Sequence, residues 1–189
     1  MSRSSGLPSV TQILRVVGLG PDLDGIDPAI LARAAERGTL VHEAVHDDVY
    51  HYLDESTLPP AVMARFVGWQ RFLKDTGYRP LGAELTVTST RWGFIGHLDG
   101  AGWIGADRIL LDLKCVATLD PASVAYQLAG YDIAWSEQRP TEPFKRYLGL
   151  QLLPSLPDKY RVHDLTARMV NARMVFQAAV VVFSARGGK

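Results

Sequence analysis

The sequence predicts a mixed β-sheet flanked by helices, in the α/β to α+β range. Helical patterns come first, then three short β-rich runs, a helix, two further strands and a last helix. The 189 residues are 47% hydrophobic and 21% charged, which is typical of a folded domain with a core. We therefore expect a single domain over 1–189, with a helical part at 1–78, a core sheet at 79–163 and a C-terminal helix at 164–189.

Helical signals dominate the first part of the chain. Ser9 followed by Gln12 has the spacing of a capping box. Asp27-Pro28 supplies an N-cap and a first-turn proline for a second helix. Gly38 predicts a break after that helix. The helices predicted after Ser9 cover about 28–36, 39–53 and 61–75.

Short runs rich in β-forming residues, separated by turn residues, predict the strands. Leu85 and Val87 alternate with polar residues, so one face of the first strand is polar. Asp164 is predicted to cap the final helix. The predicted elements are strands at 81–88, 92–98 and 108–114, a helix at 121–137, strands at 144–153 and 160–163, and a helix at 165–184.

Composition excludes several classes of protein. The single Cys115 excludes a disulfide framework and any cysteine-rich metal site within the chain. No apolar stretch approaches the length of a membrane span, and the N-terminus does not resemble a signal peptide, so we expect a cytoplasmic protein without a membrane partner. The net charge is zero, but 1–137 holds 11 basic against 17 acidic residues, and 138–189 holds 9 against 3. This uneven distribution suits a metal site built from carboxylates beside an anion-binding surface. The alternative is that the charged residues are solvated and only happen to be unevenly distributed.

Two acids and a lysine fall at the ends of neighbouring predicted strands. Asp112 and Lys114 are two residues apart and therefore share a strand face, and Asp99 ends the preceding strand. Carboxylates hold hard cations such as Mg²⁺, which polarise a phosphate and activate a bound water, while a lysine orients that water. The set thus suits metal-assisted phosphodiester hydrolysis. The alternative is a hairpin turn at Asp99 with a surface ion pair nearby.

Five pieces follow one another in a specific order: Gly38-x-x-x-His42, Glu84, Gly96-His-Leu-Asp99, Asp112-Leu-Lys114 and Gln127-x-x-x-Tyr131. Together they resemble the PD-(D/E)XK nuclease superfamily, and within it the RecB-type nuclease domains and related phage exonucleases. The segment 8–14 also resembles the opening of such proteins. The predicted elements agree with the restriction-endonuclease-like core of this superfamily, a helix followed by three strands, a helix and a strand.

The resemblance implies a set of functional residues. Glu84 corresponds to an acid that the family often has on its first core strand, where it either supports the metal ligands or binds a second metal. The alternative is that Glu84 is only a solvated side chain on the polar face of the strand. Gln127 and Tyr131, one turn apart, would line the DNA path, or else only pack their helix. The implied roles are catalysis by Asp99, Asp112, Lys114 and Glu84, metal binding by His42, Asp99, Asp112 and the main-chain carbonyl of Leu113, and DNA binding by Gln127 and Tyr131.

The resemblance further implies a Mg²⁺-dependent deoxyribonuclease, with Mn²⁺ able to substitute. We expect an exonuclease of DNA recombination, repair or phage DNA processing, with a DNA endonuclease as the alternative. A single-strand annealing or recombination protein and further copies of the chain are the expected partners beside DNA. One position departs from the family pattern, since Cys115 follows the lysine where Thr is usual, and the next hydroxyl is Thr118. Cys115 is expected to pack inward as a small apolar residue.

A second motif, which indicates a different chemistry, overlaps Gly38-x-x-x-His42. His42-Glu43-Ala44-Val45-His46 matches H-E-x-x-H, the zinc-peptidase signature, on a predicted helix. The extended form of this motif requires Gly and His where the chain has Val49 and Tyr52. A zinc metallopeptidase leaves Asp99, Asp112 and Lys114 without a role, and is kept as the less favoured alternative. A non-catalytic DNA-binding or structural relative is a third.

Overall fold

A computed structural model describes residues 6–22, 24–156 and 158–188; the extreme ends of the predicted 1–189 domain, Leu23 and Pro157 lie outside it. In chain order the elements are α1 (Val10–Val16), α2 (Pro28–Val49), a 3₁₀ turn (Glu55–Thr57), α3 (Pro60–Thr76), β1 (Arg79–Ser89), β2 (Phe94–Ile104), β3 (Asp107–Lys114), α4 (Pro121–Gln138), β4 (Arg146–Leu152), β5 (Tyr160–Asp164), a 3₁₀ turn (Thr166–Arg168) and α5 (Met169–Ala185).

The strands form one mixed sheet in the order β1-β2-β3-β4-β5. β3 and β4 are parallel, and the other neighbours are antiparallel. The parallel pair is joined through α4, because parallel neighbours need a crossover connection. The predicted fold class, a mixed sheet flanked by helices, is confirmed, and so is the order of three strands, a helix and a strand.

The sheet separates two hydrophobic cores. On one side α1, α4 and α5 bury residues such as Ile13, Trp135 and Phe176. On the other side α2 and α3 pack Val41 and Phe66 against the central strands. Burial on both sides fixes the helices relative to the strand ends. Among the described helices, none is both long and apolar enough to cross a bilayer.

The predicted break at Gly38 is wrong, because α2 runs through it without interruption and ends at Val49. The Asp27 carboxylate caps the helix by accepting the Ala29 N–H at 2.7 Å. An interior glycine weakens a helix by only about 1 kcal/mol. Burial of Val41 and the residues around it against α3 offsets that cost.

The predicted end of the second strand is also wrong, and so is its consequence that Asp99 ends a strand. β2 continues to Ile104, so Asp99 lies inside it, and the turn falls at Gly105, whose φ is +61°. The glycines after Asp99 suggest a turn but serve packing instead. A Cβ at Gly102 would lie 2.5 Å from Cζ of Tyr78, so the small residues of β2 make room for that ring.

Asp164 does not cap the final helix as predicted. It lies in β5, accepts the Thr166 N–H at 3.0 Å and pairs with Arg146. α5 begins only at Met169, after a 3₁₀ turn. The carboxylate therefore organises the turn that precedes the helix.

Candidate functional site

The candidate site lies where β2 and β3 separate. Their pairing ends at Gly100 and Leu111, while β2 continues beside β1. Beyond that point Asp99 Oδ2 accepts the Leu113 N–H at 2.6 Å. A side chain thus replaces a ladder bond and holds Asp99 against the end of β3.

Three side chains from three elements converge there. His42 of α2, Glu84 of β1 and Asp99 of β2 each offer one ligand atom within 4.8 Å of the other two. His42 Nδ1 is 3.3 Å from Glu84 Oε1 and 3.5 Å from Asp99 Oδ1. Its Nε2 is 3.2 Å from the Leu113 carbonyl oxygen. The fold therefore brings together four of the groups that the sequence singled out.

Glu84 has an unusual backbone conformation for a strand residue, with φ at +52°. Its neighbours Ala83 and Leu85 pair with Gly100 and Leu98, so Glu84 stands opposite Asp99. A left-handed non-glycine residue is strained, and like charges on opposite strand positions repel. Strain and repulsion that coincide at one point are typical of a site arranged for a positively charged group.

The carboxylates of Glu84 and Asp99 favour the charged form of the His42 imidazole. Burial opposes the charged form of His42, but the Asp99 carboxylate and the hydrogen bond with Glu84 outweigh it and raise its pKa to about 9. Conversely, the hydrogen bond with His42 lowers the pKa of Glu84. Two carboxylates around an imidazole suit a divalent cation, which would take the place of the imidazolium charge.

Asp112 is fully buried and paired with Lys114. Lys114 Nζ lies 2.7 Å from Asp112 Oδ2, and the Asp112 side chain is 0% exposed. Burial raises the pKa of Asp112 and nearby Asp99 raises it further, while Lys114 opposes both. Asp112 Oδ1 has no hydrogen-bond partner among the described residues. Asp112 does not belong to the three-residue group, yet its orphaned oxygen is a further donor that a cation would satisfy.

Lys114 connects this pair to α4. Its Nζ lies 3.2 Å from Gln127 Oε1, and Gln127 Nε2 donates to the Tyr131 hydroxyl at 2.7 Å. Gly96 is required beside this ring, because a Cβ there would lie 2.7 Å from Tyr131 Cδ1. Polar groups therefore run without interruption from the buried carboxylate of Asp112 to the phenol of Tyr131.

One cleft of about 240 Å³ is lined by His42, Glu84, Asp99, Gln127 and Tyr131, and also by residues that the sequence left unassigned. Ser9 and Thr11 reach it because the backbone at Ser9 bridges to Ile95 of β2. His97 lines the cleft as well and contacts the Thr86 hydroxyl at 3.2 Å. In the sequence, only the resemblance of residues 8–14 to the N-terminal segment of such nucleases pointed to Ser9 and Thr11.

The second histidine of the H-E-x-x-H motif does not join the site. His46 Nδ1 contacts Asp47 at 2.9 Å, and its ring packs on Tyr50. Within the described part of the chain, the one candidate ligand group contains His42 and neither Glu43 nor His46. The geometry therefore offers no support for a zinc-peptidase centre.

Cys115 packs beside the core between the sheet and the α2–α3 layer, as expected of a small apolar residue. Burial raises the pKa of its thiol to about 11, so the thiol is neutral near pH 7. A neutral thiol is a poor nucleophile. Cys115 therefore contributes packing next to Lys114 and no covalent chemistry.

No protein-family model and no curated protein matches the chain. Among solved structures, the chain is similar to one described as a "putative exonuclease" from Eubacterium rectale, with 12% identity and a TM-score of 0.48 over 92% of this chain and 73% of that one. It is also similar to LHK-Exo in complex with dAMP, with 14% identity and a TM-score of 0.41 over 93% of this chain and 88% of that one.

Proposed function

We propose that this chain is a metal-dependent deoxyribonuclease, and specifically an exonuclease acting in DNA recombination, repair or phage DNA processing. The supporting observation is the group formed by His42, Glu84 and Asp99 beside the buried Asp112–Lys114 pair. The cleft thus combines ligands for a hard cation with an ammonium group that is held in place beside them. This combination suits the hydrolysis of a phosphodiester.

The proposed cofactor is Mg²⁺, with Mn²⁺ able to substitute. His42, Glu84 and Asp99 would hold it, with Asp112 Oδ1 and the Leu113 carbonyl as the nearby additional donors. When bound, the cation supplies polarisation of the phosphate and a more acidic bound water.

The other steps fall to the chain's own residues. Asp112 and Gln127 hold the Lys114 ammonium between them, at 2.7 and 3.2 Å, so it is oriented before substrate arrives. From there Lys114 positions the attacking water and offsets charge on the phosphate. Tyr131 fixes the Gln127 amide, and both contact the bound strand from the α4 side.

DNA is the proposed substrate, and an endonuclease of the same fold is the alternative, because both reactions share this metal chemistry. The expected accessory partners are a single-strand annealing or recombination protein and further copies of the chain.

The proposal is tested by digestion of end-labelled linear and covalently closed circular DNA, each single- and double-stranded, with Mg²⁺ or Mn²⁺. We expect linear substrates to be degraded and circles to survive. Cleavage of circles would change the assignment to an endonuclease. A sample with the metal chelated serves as the blank. If neither metal supports cleavage above that blank, the nuclease proposal is overturned.

A further inference from the structure

A buried glutamine stands beside Lys114 on the neighbouring strand. Gln151 of β4 pairs in register with Lys114 of β3, and Gly149 pairs with Asp112. Side chains at paired positions of neighbouring strands project from the same face of a sheet, so Gln151 lies on the face that carries the Asp112–Lys114 pair. Gln151 is only 2% exposed. A buried amide is unfavourable unless its hydrogen bonds are formed, so its partners indicate its role.

Both ends of the Gln151 amide have partners. Nε2 donates to the Val116 carbonyl at 2.8 Å and to the Ala117 carbonyl at 3.0 Å. Oε1 lies 3.2 Å from Nε2 of His163 on β5. Because the amide N–H groups face two carbonyl oxygens, Oε1 faces the imidazole, and His163 Nε2 must be the donor. Gln151 thus joins β5 to two residues that closely follow Lys114.

The two carbonyls belong to a connection with few other polar contacts. Residues 115–119 join Lys114, at the end of β3, to Asp120, the N-cap of α4. Among the described residues, no main-chain group of 116–119 forms a hydrogen bond with another main-chain group. Leu119 packs into the core on the α4 side. The Gln151 amide therefore supplies the polar contacts that hold the middle of this connection.

The groups that hold Lys114 lie on either side of the connection. Asp112 precedes it on β3 and Gln127 follows it on α4, at 2.7 and 3.2 Å from the Lys114 Nζ. A shift of the connection would change the distance between these two groups. A displacement of about 1 Å from the productive geometry can cost about 10²-fold in rate.

We propose that Gln151 is a positioning residue for Lys114. By fixing the Val116 and Ala117 carbonyls, it keeps the ammonium between the groups that hold it on β3 and α4. Gln151 acts through the lysine, since it is not among the residues that line the cleft. Because it assigns a role in phosphodiester hydrolysis, the inference rests on the proposed function.

The first test uses Cys115, the single cysteine of the chain, as a reporter within the connection. The rate at which the neutral reagent dithiodipyridine modifies the folded protein is measured without metal or DNA. Gln151→Met removes both donors at similar side-chain length and should react at least about threefold faster than the wild type, because the connection opens more often. The exposed Gln138→Met is the control and should match the wild type. Equal rates in the two variants would overturn the inference.

The second test is single-turnover cleavage of linear DNA with Mg²⁺, at a temperature where every variant is folded. Gln151→Met should cleave about tenfold more slowly. Its Kd for the same DNA, measured by anisotropy with the metal chelated, should match that of Gln138→Met. In a Lys114→Met background the Gln151 change should cost no further rate, because it acts through the lysine. Rate losses that multiply in the double variant would refute the positioning role.

A pair of variants at His163 covers the case in which Gln151→Met does not fold. His163→Gln keeps a donor for Gln151 Oε1, whereas His163→Leu removes it. Slower cleavage and faster modification of Cys115, each by about two- to threefold, should appear in His163→Leu and be absent in His163→Gln. Matching values for the two variants in both measurements would overturn the inference.

The two proposals fail in different ways. If the wild type cleaves no DNA with either metal, the nuclease proposal fails, and the positioning role is overturned with it even where the Cys115 rate responds. If the wild type cleaves DNA and Gln151→Met does so at the same rate, only the positioning role fails.

Discussion

The two oxygens of the Asp99 carboxylate have separate partners. Oδ2 accepts the Leu113 N–H at 2.6 Å, and Oδ1 lies 3.5 Å from His42 Nδ1. The first contact joins β2 to the end of β3, and the second belongs to the candidate ligand group. One residue therefore ties the local fold to the proposed cation, and the two roles can be separated by mutation.

Asp99→Asn should keep the fold and lose the metal. The amide oxygen still accepts the Leu113 N–H, but the negative charge is gone. Mn²⁺ affinity by calorimetry should fall at least about tenfold, with an unfolding midpoint close to that of the wild type. His42→Ala should show a similar loss, whereas His46→Ala on the same helix should bind Mn²⁺ normally. Equal losses in the two histidine variants would instead favour the H-E-x-x-H site.

Lys114→Met should abolish most cleavage while DNA binding changes little. Removal of an oriented electrostatic group typically costs about 10²–10³-fold in rate. Single-turnover cleavage and anisotropy report the two quantities, and Lys145→Met at an exposed position is the control. A Lys114→Met enzyme with a normal rate would remove the lysine from the mechanism.

Asp112→Ala, by contrast, should damage stability as well as cleavage. It leaves the Lys114 ammonium without its buried partner, a change that costs about 3–5 kcal/mol. Asp112→Ala combined with Lys114→Met should recover part of the lost unfolding free energy, because both charges are removed together. Additive losses in urea denaturation would show that the two groups are not coupled.

Glu137 should make stability depend on acid pH. Its carboxylate accepts hydrogen bonds from Ser89, Thr90 and Arg91 in the β1–β2 turn. Burial is the largest single influence and opposes the charge, but the hydrogen bonds from Ser89, Thr90 and Arg91 together outweigh it and lower the pKa of Glu137 from 4.5 to about 2. The stabilisation is therefore complete above about pH 4.5 and is lost as the pH falls towards 2. Because the Glu137 carboxylate is exposed to solvent, we expect this stabilisation to add only about 1 kcal/mol to the free energy of unfolding.

Urea unfolding of Glu137→Gln at several pH values checks this expectation. The variant should be less stable than the wild type at pH 7, and the difference should shrink as the pH falls below about 4.5. The exposed Glu36→Gln serves as the control for removing one carboxylate. A difference that stays constant over this pH range would contradict the assigned role of Glu137.

Two glycines in helices should respond to alanine in opposite directions. A Cβ at Gly38 would meet nothing within 4 Å, so Gly38→Ala should stabilise the protein by about 0.5–1 kcal/mol. A Cβ at Gly68 would lie 2.4 Å from the Lys159 carbonyl oxygen, so Gly68→Ala should destabilise it by about 1–3 kcal/mol. Thermal unfolding measures both. A destabilised Gly38→Ala would mean that the helix needs flexibility there.

Local sequence patterns predicted the parts of the site that depend on local geometry. Asp112 and Lys114 meet because residues two apart share a strand face, and Gln127 meets Tyr131 because residues four apart share a helix face. The cap at Ser9 was predicted in the same way, and its hydroxyl accepts the N–H three residues on.

The remaining features depend on tertiary packing and leave no periodic signal. Asp99 lies inside a long strand because β2 continues beyond it, paired with β3 as far as Ile104, and the glycines there leave room for the Tyr78 ring. Glutamate has no preference for the left-handed backbone conformation that Glu84 adopts, so the sequence could not predict it.

Because α2 runs without interruption, the position of His42 is set from the capped start of the helix. His42 is fourteen residues from Pro28, the first residue of α2, which corresponds to about 21 Å along the axis. A single residue inserted between them would change the direction of His42 relative to the start of the helix by about 100°, while leaving the helix able to form. The length of this segment is therefore more tightly constrained than the identity of its exposed residues.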